Sequence, residues 1–169
     1  MDHSATIRSL ARNKELFIDL LTGLDEGLYR WRQSDEKWNI LEIVCHLRDE
    51  ERDDFRERTW RVLEDAEGPL PSIDPVAWVK QRHYDTQNYQ EALNEFFHER
   101  EASLKWLQLL DVPRWDNSYQ HPKLGPLSAE LFLANWLAHD YLHIRQIIKL
   151  KFDYLKESSG IDLSYAGDW

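Results

Sequence analysis

Cys45 is the single cysteine of the 169-residue chain, so no internal disulfide can form, and the composition suits a reducing compartment. Glycine and proline are scarce, six of each, which excludes collagen-like and low-complexity chains. No run of roughly 18 apolar residues occurs, so no membrane span is expected. The first residues, MDHSATIRSLARNKELF, lack the apolar segment of a secretory signal. Basic residues are in deficit: 21 Lys and Arg face 31 Asp and Glu, for a net charge of -10 and a pI near 5.1. Nucleic acid and anionic lipid both demand a basic surface, so neither is an expected partner. The expectation from these absences is a soluble, cytoplasmic protein.

Core-forming material is plentiful. Eight Trp, seven Tyr and six Phe outweigh a mean hydropathy of -0.67, because that index rates Trp and Tyr as nearly polar. A chain of this size buries roughly 70% of its unfolded surface and needs no metal merely to fold, so residues 1–169 are read as one domain.

Helical periodicity runs through four segments. Residues 5–24 carry Ile7, Leu10, Phe17, Leu20, Leu21 and Leu24 at three- and four-residue steps. Asn39, with Glu42 three residues on, predicts a capped helix from 39 to about 67, stopped by Gly68-Pro69. Ten of the twelve residues Leu47 to Arg58 are charged, which reads as a solvated stretch. A third helix is expected over 86–110 and a fourth, capped by Ser128, over 129–152. Two long connections separate them: 68–87, with three prolines and a short turn of helix expected near Val76-Ala77-Trp78, and 113–126. The tail, with Tyr154, Leu155, Ile161, Leu163, Tyr165 and Trp169, is expected to dock in part on the other helices. No segment alternates with β-period. Four helices of about 20 residues describe an all-α four-helix bundle.

Chemistry concentrates in Asn135-Trp136-Leu137-Ala138-His139-Asp140-Tyr141-Leu142-His143-Ile144-Arg145-Gln146. His139 and His143 lie one turn apart on one helical face, where two imidazoles can share a divalent cation. The spacing is that of the zinc-metalloprotease helix, but Asp140, not Glu, follows the first His, which argues against that class. Asn135 and Gln146 continue the polar face and are candidates to support the ligands, as is Asp140. His46 lies in the apolar half of the second helix. A bundle builds metal sites from inward side chains of facing helices, and three nitrogens with an open position is the arrangement of catalytic zinc. Cys45 points about 100° away from His46 and reads as packing. Asp49, one turn after His46, is a candidate to orient an imidazole or accept a proton; a solvated charge is the plainer reading. His3, His83, His98 and His121 fall in the tail, the loops or the third helix and are weaker candidates. Trp38, Trp136 and Trp169 read as core or pocket wall.

The pattern Trp38-Asn39-Ile40-Leu41-Glu42-Ile43-Val44-Cys45-His46-Leu47, with His139-Asp140-Tyr141-Leu142-His143-Ile144-Arg145-Gln146-Ile147 downstream, resembles the DinB-like superfamily, including its YfiT-like metal-dependent hydrolases. The resemblance covers essentially the whole chain in length and element order. It implies a bundle of up-down-down-up order and a divalent ion, zinc or nickel, held by His46, His139 and His143. Characterised relatives include transferases that use bacillithiol and a mycothiol-dependent isomerase, so a low-molecular-weight thiol is an implied cosubstrate, and relatives often dimerise. A related domain in iron-dependent sulfoxide synthases carries His-x-x-x-His-x-Glu; Arg145 stands at that Glu position here, which argues against sulfoxide synthesis. Two function classes follow: a metal-dependent S-transferase or hydrolase acting on a small molecule, or a non-catalytic interaction bundle whose metal is structural or absent.

Overall fold

Helix α1 (His3–Leu21) starts where the Asp2 carboxylate accepts a hydrogen bond from the Ala5 amide at 2.9 Å. Leu10, Phe17 and Leu21 recur on one face and are fully buried. A short α2 (Glu26–Arg30), capped by Asp25, leads to Asn39, whose side chain and that of Glu42 satisfy each other's amides at 2.9 Å in the expected capping box. Such a cap contributes about 1 kcal/mol. The helix it opens runs from Ile40 to Glu64 in three parts: α3 (Ile40–Asp49), a π-helical stretch (Glu50–Arg56) and α4 (Glu57–Glu64). After α5 (Pro75–Gln81) and a 3₁₀ turn (Tyr84–Thr86), α6 (Tyr89–Leu109) begins at Asn88. A hairpin of β1 (Ser118–His121) and β2 (Gly125–Ser128) pairs Tyr119 with Leu127, and α7 (Ala129–Ser159) follows from its Ser128 cap. The computed structural model describes residues 1–167; Trp169 lies outside them.

Four long helices therefore make the body, as expected for a four-helix bundle. α6 packs against α3 and α1, and α7 against α1 and α4. Two apolar clusters fill the centre. One joins Phe17, Leu21, Ile43, Phe96, Ile144 and Ile147; the other joins Leu10, Phe55, Leu104, Leu107, Leu133 and Trp136. Each fully buried Leu, Ile or Phe contributes roughly 1.5–3 kcal/mol. A polar layer lies between them: the Arg100 guanidinium is 5.7 Å from the Phe96 ring on one side and donates to the Leu10 carbonyl at 3.4 Å on the other.

The structure departs from the sequence reading in three places. The charged stretch after Leu47 is not solvated: Arg48, Asp49, Glu50, Glu51 and Asp54 are buried, because each finds an ionic or hydrogen-bonding partner inside. The connection 68–87 holds the short helix expected near Val76-Ala77-Trp78 as α5, and Trp78 and Tyr84 from this connection are buried in the first cluster. Residues 113–126 are expected as a loop but carry β1 and the start of β2; strands of four residues, the second containing Pro126, are too short to show an alternation. Finally, α7 outruns residue 152, and beyond it Ile161 and Tyr165 are exposed. Tyr154 meets the Trp31 ring edge-on from within the helix. Among the described residues no helix is long and apolar enough to cross a membrane.

Candidate metal centre

α3 and α7 place three imidazoles together at the level of the polar layer. His139 Nε2 stands 3.1 Å from His46 Nε2 and 3.0 Å from His143 Nε2. A ligand atom from each of the three lies within 4.8 Å of the other two. His46 and His143 are buried and His139 is partly buried. The expected convergence of one His from the second helix with an i,i+4 pair from the last is thus present.

The donor chemistry fits a cation. The Gln146 carbonyl oxygen can only accept, so the His143 Nδ1–H donates to it at 2.9 Å, which leaves His143 Nε2 a bare lone pair. If His139 Nε2 carried a proton, that single proton would face two acceptors. One proton cannot satisfy three nitrogens aimed at one point; a cation accepts all three lone pairs. Nitrogens each about 2.0–2.1 Å from one ion stand a little over 3 Å apart, close to the spacing here. Burial also keeps the rings neutral and therefore ligand-competent. It pushes His46 down to about 3 and His139 down to about 2, in both cases helped by the neighbouring imidazoles, and His143 down to about 4 against the opposing pull of Gln146 and Asp140.

The surroundings are aromatic. The Trp38 ring centroid is 4.9 Å from that of His46, and the Phe55 ring is 5.0 Å from that of His139. Phe55 reaches this position from the π-helical stretch, where it also stacks on Trp136. Interruptions of this kind within α-helices recur at functional sites.

Two ion networks brace the ligand helices. Asp140, the residue after His139, is fully buried; it accepts two hydrogen bonds from Arg100, at 2.6 and 2.8 Å, and one from Asn13 at 3.0 Å. Arg100 also pairs with Glu51 at 2.8 Å, and Glu51 accepts from the Trp136 indole at 2.9 Å. This network joins α1, the π-helical stretch, α6 and α7. Asp49 anchors the second. It is fully buried, which corrects the solvated reading, and it accepts from Arg48 at 2.8 Å and from the Tyr84 hydroxyl at 2.7 Å and pairs with Arg82 at 2.6 Å. Burial works against its charge, but these partners together hold its carboxyl below the usual carboxylate range. It is a fixed anion with its oxygens occupied, poorly suited to accept a proton.

The other candidates separate from the cluster. Asn135 is exposed and its amide donates to the Leu131 carbonyl of its own helix at 2.8 Å. Cys45 is buried, its thiol donates to Gln87 at 3.4 Å, and burial pushes it up to about 12, so it is packing. His83 and His98 are exposed, His121 accepts from two amides of the hairpin turn, and His3 stacks on Trp115. Sequence reasoning missed Phe55, Glu51 and Arg100. The signal for Arg100 was present: it stands in the stripe of Leu93, Phe96, Leu104 and Leu107, where a charged residue must be paired inside.

The sequence model of the DinB superfamily matches residues 9–147. Among solved structures, YfiT from Bacillus subtilis, described as a probable metal-dependent hydrolase with an unusual four-helix bundle topology, is similar with a TM-score of 0.77. The two share 17% identity over 95% of this chain and 89% of that one, a likeness that shows the fold. No curated protein sequence matches the chain.

Proposed function

The chain belongs to the DinB superfamily, and from that membership and its three converging imidazoles we propose that it is a divalent-metal enzyme acting on a small electrophilic molecule, with water or a low-molecular-weight thiol as nucleophile. The observation that carries the reading is the Nε2 triangle, two sides of which measure 3.0 and 3.1 Å. His46, His139 and His143 would hold the ion, zinc or nickel. Such an ion supplies a Lewis acid and lowers the pKa of a water or thiol at its open position.

The chain's own residues do the rest. Gln146 fixes the His143 tautomer and ring orientation. Trp38 and Phe55 cover the imidazoles and restrict water, which strengthens electrostatic interactions at the site. Asp140, held by Arg100 and Asn13, is a positioning residue that fixes the α7 turn carrying His139 and His143. Asp49 acts in the same way on α3, tying the turn after His46 to Tyr84 and Arg82. The up-down-down-up helix order, a single domain over 1–169, a homodimer and a cytoplasmic location belong to the same proposal.

The test is turnover of a panel of small esters, epoxides and activated alkenes by the metal-loaded protein, with and without added thiols such as cysteine. Metal-dependent turnover that needs the thiol assigns S-transfer; metal-dependent turnover without it assigns hydrolysis. Turnover unchanged by a chelator overturns the reading.

A further inference from the structure

A cleft of about 410 Å³ lies against the histidine cluster and shares two walls with it: Trp38, which packs on His46, and Gln146, which holds His143. Its size is that of a small-ligand site. Its charge is unlike that of the chain. Lys37, Arg145 and Lys149 line it and, among the described residues, no Asp or Glu does, in a protein where acidic residues outnumber basic ones by 31 to 21. Lys149 is ion-paired with Asp153 on its own helix. Among the described residues Lys37 and Arg145 make no ion pair, so both cationic groups are available to a ligand. Leu142 and the Trp38 ring supply apolar surface beside them.

We propose that this cleft is an anion subsite: it receives the carboxylate or phosphate of a small substrate or cosubstrate whose apolar body lies along Trp38 and Leu142 and whose reacting end is directed to the imidazole cluster. Arg145 is the central group. Its planar fork offers two parallel N–H donors to an oxyanion, a geometry that a lysine cannot reproduce. It stands two residues after His143 and one before Gln146 on α7, so one helix turn carries both the ligands and the anion receptor. Lys37 approaches from the segment before α3, adjacent to Trp38. The inference explains why a cation occupies position 145 in a chain otherwise so acidic. It rests on the proposed metal function only for what the bound anion is brought beside.

The test uses the metal-free protein, so that its outcome is separate from that of metal binding. Benzoate and phenyl phosphate are titrated against benzamide, their uncharged counterpart, with binding followed by the indole N–H resonance of Trp38. At least one of the two anions binds five- to tenfold more tightly than benzamide, and the preference shrinks as salt is raised. Arg145→Gln abolishes the preference, Arg145→Lys retains part of it, and benzamide binding is unchanged by either. Both positions are exposed, so the variants fold. Equal binding of the three probes, or an anion preference that survives Arg145→Gln together with Lys37→Gln, overturns the proposal. Metal content measured on the same samples reports separately on the function proposed above.

Discussion

Arg100 is the sharpest place to perturb the frame that holds the ligands. The residue is 1% exposed, yet it carries a full charge; burial opposes that charge, but Asp140 and Glu51 hold it above the ordinary guanidinium range. Replacing it with Met keeps most of the volume but strips Asp140 of two hydrogen bonds and Glu51 of its ionic partner. Both carboxylates are within 1% of full burial, and what remains to them is the Asn13 amide and the Trp136 indole. Breaking a buried pair by removing one partner costs about 3–5 kcal/mol, because the other charge is left uncompensated. For a domain of this size each kcal/mol shifts the melting temperature by roughly 2–4 °C, so Arg100→Met melts roughly 10 °C lower. Urea denaturation followed by circular dichroism gives the free energy directly. Adding Asp140→Asn and Glu51→Gln removes the orphaned charges and recovers part of the loss. A cost below about 1 kcal/mol, the range of surface pairs, would falsify the claim that a buried charged layer braces the bundle.

Three further outcomes follow from individual residues. Gln146→Leu removes the acceptor that fixes the His143 tautomer and lowers metal affinity about 10- to 100-fold by chelator competition, whereas an unchanged affinity means the contact is incidental. The three imidazoles are neutral when folded, with values pushed to about 3, 2 and 4, but protonate below about 6.5 when unfolded. Their contribution is therefore present above that pH and lost as pH falls toward the folded values, so the metal-free protein loses stability relative to His139→Leu between pH 7.5 and 5.5; parallel urea midpoints would contradict this. Glu50 behaves in the opposite sense. Burial and then the Asp54 carboxylate raise it above the usual carboxylate range, so its contribution is present at low pH and lost as pH rises. As pH rises above about 4.3, the unfolded carboxylate value, the wild type loses stability that Glu50→Gln does not, and equal slopes for the two proteins would remove Glu50 from the account.

The bundle and the three imidazoles were legible because they rest on periodicity and on one scarce residue type. His139 and His143 announce a shared face by their spacing, and His46 stands out as the one imidazole within the apolar run of α3. The stretch from Arg48 to Arg58 misled for a physical reason. Charge density signals solvent only when charges lack partners, and here the partners come from distant segments: Arg100 from α6, Arg82 and Tyr84 from the connection before it. The π-helical geometry of Glu50–Arg56 leaves no periodic mark over seven residues, so the inward turn of Phe55 toward His139 could not be read. Asn135 shows the converse limit: it shares the polar stripe by spacing, but at its level of α7 the stripe faces solvent. Of the tail residues, Tyr154 meets Trp31 from within α7 while Ile161 and Tyr165 are exposed, because apolar composition alone names no receiving surface.

The most direct measurement is the metal content of protein purified without a histidine tag and incubated with zinc or nickel. The account predicts one tightly held divalent ion per chain, lost in His143→Ala and retained in His98→Ala, whose ring lies outside the cluster. A wild-type protein that takes up no ion, or an ion equally retained when His143 is removed, contradicts it.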